Sequence, residues 1–189
     1  MDTELSIELH PFTHDDMDRL ISWIPSSRFL RQWAGAIFTY PLNHEQLRRH
    51  LAGSVGENPA LLVYKAVSPE YGGSVGHGEI GGIDRENHSA RIGRILVGPP
   101  ELRGKGVGDQ IVRALLRIAF EELSLHRVDV LAFDFNHPAI RCYERIGFRK
   151  EGLLRDARKH GDDYWSLWLL SILDHEFKHG SRAWSTSFS

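Results

Sequence analysis

Hydrophobic positions along this chain follow two rhythms, alternation and a helical stripe, and the order in which they appear outlines a mixed fold. Leu5, Ile7 and Leu9 alternate with polar neighbours and predict an opening strand with one buried face. Thr13-His14-Asp15-Asp16 has the form of a capping box, with Asp16 in the usual Glu or Gln place. Met17, Leu20, Ile21 and Ile24 then supply a helical stripe that stops at Pro25. Asn43 with Gln46 repeats the capping pattern before Leu47 and Leu51, and Gly53 fits a stop. Between these two helices lie Phe29, Leu30, Trp33, Phe38 and Tyr40, which suit either a packed core or the wall of a pocket.

The second half alternates more regularly. Leu61 to Val67 and Ser74 to Asp84 predict an antiparallel pair joined across Pro69 to Gly73. Glycines at 76, 78, 81 and 82 mark bulges or close backbone approach. Ala90 to Val97 predicts a strand that Pro99-Pro100 ends abruptly. From Val107 to about Leu123, residues Ile111, Val112, Leu115, Leu116, Ala119 and Phe120 form one helical face. Val128 to Phe135 predicts a strand, Pro138 starts a short helix that Gly147 ends, and Phe148 to Leu154 and Trp165 to Leu173 predict the last two strands around a turn at Asp162-Asp163. Strand, helix and strand in this order imply a right-handed parallel crossover, which puts residues 103–108 and Asn136 at the same C-terminal sheet edge.

Arg103-Gly104-Lys105-Gly106-Val107-Gly108 connects that strand to that helix. Glycines there let backbone N–H groups converge on an anion at the positive end of the helix, with Arg103 and Lys105 adding charge. A nucleoside-triphosphate loop is excluded by spacing: Gly98 to Gly104 encloses five residues, and Lys105 is followed by Gly106 rather than Ser or Thr. The dinucleotide fingerprint fails because Asp109 stands at its third glycine. What remains, Arg103-x-x-Gly106-x-Gly108, resembles the coenzyme A pyrophosphate loop of the GNAT superfamily of N-acetyltransferases. Asn136-His137-Pro138-Ala139-Ile140-Arg141-Cys142-Tyr143 resembles the later motif of that family, in which Asn ends a strand and Tyr follows seven positions on. The resemblance spans roughly residues 74–173, while the compact single domain, paired N-terminal helices and aromatic-rich segment look like the bacterial branch that includes ribosomal-protein N-terminal acetyltransferases.

That resemblance implies an α/β (α+β) fold, a mixed sheet of about seven strands flanked by about four helices. It also implies an acetyl-CoA-dependent enzyme acting without metal. Leu96, Val97, Arg103, Gly104, Lys105, Gly106, Val107, Gly108 and Asn136 would hold acetyl-CoA. A backbone N–H on or next to Val97 would stabilise the oxyanion, and Tyr143 would protonate the departing thiolate. Packing in the helix core competes for Tyr143, and a turn-initiating role competes for Asn136. Glu79 is the leading candidate for the base, against the plainer reading of an exposed strand carboxylate, with His77 and Asp84 as further options. The acceptor would be an amine: a protein N-terminus, a polyamine, an amino acid or an antibiotic. A non-catalytic acyl-CoA-binding module is the alternative.

Composition narrows this further. The 189 residues fit one domain, over residues 1–175, with a polar frayed tail over 176–189. A single cysteine, Cys142, leaves no internal disulfide, and the Met-Asp-Thr-Glu start has neither a basic stretch nor an apolar run, so a cytoplasmic setting is expected. A net charge of −2 argues against a nucleic-acid binder, and no apolar window predicts a membrane span. Residues 91–159 hold 14 Lys and Arg against 9 Asp and Glu, which leaves the rest of the chain acidic and open to a cationic acceptor. A monomer or homodimer fits equally. His175-Glu176-x-x-His179 matches a zinc motif by spacing, but its polar-tail context argues against a metal. Cys142 is read as a small packed residue rather than a nucleophile.

Overall fold

The computed structural model describes residues 5–177. Its strands are β1 (Glu8–Pro11), β2 (Leu61–Ser68), β3 (Gly73–Asp84), β4 (Ser89–Val97), β5 (Arg127–Phe133), β6 (Arg149–His160) and β7 (Asp163–Leu173). The α-helices are α1 (Met17–Ser22), α2 (Ser27–Ala34), α3 (His44–Leu51), α4 (Val107–Arg117) and α5 (His137–Ile146). The strands form one sheet in the order β1-β2-β3-β4-β5-β7-β6, and β4 with β5 is its parallel pair. This is the mixed sheet of about seven strands that the family resemblance implies, built from the strands that the alternating pattern marks.

Several elements depart from the sequence reading. The aromatic segment after Pro25 contains α2: Ser26 accepts from the Phe29 N–H at 3.2 Å, and Gly35 ends the helix at a φ of 66°. The helix is only 8 residues long, too short for a full stripe. The helix from Val107 does reach residue 122, but its last turn widens into a π-helical stretch over Ile118–Glu122. β6 runs on to His160, well past the expected end at Leu154. Glu176 and Phe177, assigned to the tail, are packed. Glu176 accepts from the Leu173 N–H and pairs with Arg149, while Phe177 meets Phe120. Residues 178–189 of the expected tail, and with them His179 of the zinc-like motif, lie outside the described residues.

Two apolar layers sandwich the sheet. Met17, Leu20, Leu30 and Leu47 from α1 to α3 pack with Val63 and Leu96, whereas Ile111, Leu115 and Leu116 of α4 pack with Val75, Ile92 and Val128. Ile92 and Leu96 sit four apart on β4 yet belong to opposite layers. The cause is a bulge: between the pairs Glu79↔Gly93 and His77↔Leu96, β4 carries one residue more than β3, and Arg94 adopts a φ of 49°. Two glycines of β3 let α4 settle against the sheet. A Cβ at Gly76 would stand 2.7 Å from Ile111 Cδ1, and one at Gly78 would stand 2.9 Å from Leu115 Cδ1.

Candidate active site

β4 and β5 pair only over Ser89↔Arg127, Ala90↔Val128 and Arg91↔Asp129. Beyond Arg91 the two strands part, and a cavity of about 570 Å³ occupies the gap. α2 and the residues after it wall one side, so the element missing from the sequence reading borders the site. Phe29 and Trp33 line the cavity while Leu30 and Phe38 are buried, so the aromatic segment serves both core and pocket.

On the other side of β4, pairing with β3 continues to the end. The Gly98 N–H donates to the Val75 carbonyl at 2.9 Å, which makes Gly76↔Val97 a pair whose own backbone groups turn outward. The Val97 N–H and C=O therefore face the side that β5 has left. Arg103 occupies the carbonyl: its Nε donates to Val97 O and an Nη to Gly98 O, both at 3.1 Å. Arg103, expected to add charge at the turn, thus ties the turn to the strand.

The turn itself is backbone architecture. Gly104 and Gly106 adopt φ values of 77° and 80°, a region costly for other residues, and a Cβ at either would meet nothing within 4 Å. The N–H groups of Val107, Gly108 and Asp109 open α4 without partners one turn back. A Cβ at Gly108 would touch only Val97 Cγ2, at 3.8 Å. Lys105 is exposed beside them, and Arg145 of α5 pairs with Asp109 at 2.8 Å, neutralising the one acid of that first turn. The open face, free N–H groups and cationic surroundings fit a pyrophosphate.

Asn136 ends the segment after β5 and caps α5, its side-chain oxygen accepting from the Ala139 N–H at 3.4 Å, and it also lines the cavity. Tyr143, one helix further, is 7% exposed and lines the same cavity, with its ring against Phe148. Its hydroxyl bonds no described residue, yet it is not among the buried orphan atoms, so the oxygen keeps some accessible surface. Burial pushes the phenol well above its ordinary range, which keeps it protonated at neutral pH. The neighbouring thiol of Cys142 is pushed up to about 12, by burial first and then by Asp109, and so stays un-ionised.

Glu79 differs most from its expected setting. It is 1% exposed, not a surface carboxylate, and its oxygens accept from His77 at 3.0 Å, from His50 at 3.0 and 3.1 Å, and from Arg94 Nε. Burial would raise its pKa, but the hydrogen bonds from both histidines and the charge of Arg94 outweigh that and hold the carboxyl well below the usual range. His77 is itself buried, and Phe12 and Trp33 meet its ring edge-on. Its Nδ1 is the one buried polar side-chain atom without a partner among the described residues. His50, on α3, and Arg94, in the bulge, were not singled out from sequence. Asp84 lies elsewhere, at the end of β3, bonded to Asn87.

Comparison with known proteins agrees with this geometry. Residues 6–149 match the acetyltransferase (GNAT) domain family. YnaD of Bacillus subtilis (strain 168), an uncharacterized N-acetyltransferase, is 29% identical over 90 residues, 48% of this chain and 52% of that protein. The match thus spans about half the length of such relatives. Aminoglycoside N(6')-acetyltransferase type 1 of Klebsiella pneumoniae is 28% identical over 163 residues, covering 78% of this chain and 76% of that one. The spermidine N-acetyltransferase of Vibrio cholerae, solved with CoA and spermine, shares the fold at a TM-score of 0.79 and 21% identity, over 92% of this chain and 98% of that one. A glycine turn before α4, a sheet parted between β4 and β5, and a tyrosine facing the gap accompany a match over most of the chain: the protein belongs to the GNAT acetyltransferase family.

Proposed function

We propose that this chain, as a single domain over residues 1–175, transfers the acetyl group of acetyl-CoA directly to a primary amine, either a protein N-terminus or a small amine. The observation that carries this reading is the parting of β4 from β5, which turns the Val97 N–H toward the side β5 has left, next to a cavity that Leu96 and Tyr143 line. When bound, acetyl-CoA supplies an activated acetyl thioester. Gly104 to Gly108 would hold its pyrophosphate through backbone N–H groups, and Leu96, Val97 and Asn136 would contact the rest of the cofactor, Leu96 and Asn136 from the cavity wall. The Val97 N–H would stabilise the developing oxyanion, an interaction worth about 3 kcal/mol in comparable acyl transfer. The Tyr143 phenol, held protonated, would donate to the departing thiolate.

Direct attack is favoured over a covalent relay because the nearby thiol, Cys142, is un-ionised. Glu79 is better suited to hold His50, His77 and Arg94 in place than to take the ammonium proton itself, since four contacts occupy its oxygens. Calorimetric titration of acetyl-CoA into wild type and Gly108→Glu tests the reading. Wild type should bind, and the variant should lose binding at least tenfold through bulk and negative charge. Absence of wild-type binding would sink it. Binding without acetyl-CoA-dependent thiol release over a broad amine panel would favour a non-catalytic binding module.

A further inference from the structure

Every charged side chain lining the main cavity is an arginine: Arg91, Arg94 and Arg158. Arg91 is already paired, with Asp129. Glu79 lies behind Arg94, sealed from the cavity and fully engaged. A polycation entering this space would meet two guanidinium groups already ion-paired, a third without an ion pair among the described residues, and no carboxylate on the described cavity wall, so nothing there offers it a counter-charge.

Arg94 is anchored in three ways. Its backbone is fixed in the bulge at a φ of 49°, its carbonyl accepts from the Trp33 indole N–H at 2.8 Å, and its Nε donates to Glu79. Its two terminal nitrogens bond no described residue and are not buried orphans. A smaller hollow of about 370 Å³ shares Arg91, Gly93 and Arg94 with the main cavity, and a Cβ at Gly81 would stand 3.8 Å from an Arg94 Nη. Gly81 thus leaves the space beside that nitrogen unfilled. An arginine held at Nε with both Nη groups free is preorganised for two parallel hydrogen bonds to a carboxylate. Arg158, exposed at the rim, adds a second cation.

We infer that the acceptor is a small amine that itself carries a carboxylate, a free amino acid or a close analogue, bound through Arg94 with Arg158 assisting. This rests on the acetyl-transfer reading above and narrows its substrate class. It also reverses the expectation of a cationic acceptor that the acidic remainder of the chain suggested.

The test is acetyl-CoA-dependent thiol release with phenylalanine, methionine and glutamate, each beside its α-carboxamide, and with spermidine and a peptide amide that begins with aspartate. A carboxamide has the less basic amine, so at equal pH more of it is unprotonated, and any preference for the acid must come from binding. At least one acid should exceed its carboxamide in kcat/KM by tenfold or more. Arg94→Lys, which keeps a charge beside Glu79, should cut that acid-to-amide ratio at least tenfold, mainly through KM. Arg158→Gln, at an exposed site, should cut it about threefold. Carboxamides or spermidine matching the acids would overturn the inference and leave the acetyltransferase intact. Equal use of the aspartyl peptide would overturn the assignment to a free amino acid. Loss of acetyl-CoA binding in wild type would instead remove the reading on which both depend.

Discussion

The two ends of the cleft are made from different material. At the α4 end the chemistry belongs to the backbone: two glycines at positive φ, the opening N–H groups of a helix and one N–H of β4. At the Arg94 end it belongs to side chains drawn from α3, β3 and β4, interlocked around one buried carboxylate. A site made of backbone depends on conformation and tolerates most side chains nearby. A buried charged cluster depends on each member, because removing one strands the others in a poor solvent.

The largest expected effect follows at the side-chain end. Glu79→Gln should destabilise the protein by about 3 kcal/mol, leaving Arg94 without its counter-charge, as measured by urea denaturation. The pH dependence sharpens this. Because the folded-state pKa of Glu79 lies below its ordinary value of 4.5, its stabilisation is fully present above that value and is lost as pH falls below it. The variant should therefore show a shallower loss of stability with acidification in that window. Equal slopes in the two proteins would mean that the cluster is not held by charge.

At the gap between the two ends, Tyr143→Phe should lower kcat about 100-fold if the phenol is the acid. Its unfolding midpoint should scarcely change, because the hydroxyl has no described protein partner to lose. A fall in stability with kcat intact would make Tyr143 a packing residue. The smallest effect belongs to the backbone end: Gly106→Ala should cost about 1 kcal/mol, the strain of a left-handed residue, and weaken acetyl-CoA binding severalfold. The added methyl meets nothing within 4 Å, so any effect reports conformation alone.

The same contrast explains what was legible in the sequence. Glycine spacing at 104, 106 and 108, the Pro99-Pro100 stop and the alternation of β2 to β5 are local signals, and they located the sheet, α4 and the turn. The cluster at the other end joins His50 to Glu79 across 29 positions, and no periodicity records such a meeting. Arg94 depended on a bulge that shifts the facing of β4, and no local signal between Ile92 and Val97 marks it. α2 was missed despite Ser26 and Gly35 at its ends, because two turns of Phe29, Leu30, Trp33 and Ala34 give too little repeat to tell helix from an aromatic loop. Glu79 was noticed for its chemical type, but its burial followed from packing that only the fold supplies.

The parting of β4 from β5 leaves a mark that amide hydrogen exchange can read. Leu96 turns its N–H toward β3, Gly98 donates to Val75, and Val97 between them faces the gap. One rapidly exchanging amide flanked by two slow ones is the signature of that geometry, and slowing of the middle amide alone on addition of acetyl-CoA would register the filling of the gap without any turnover.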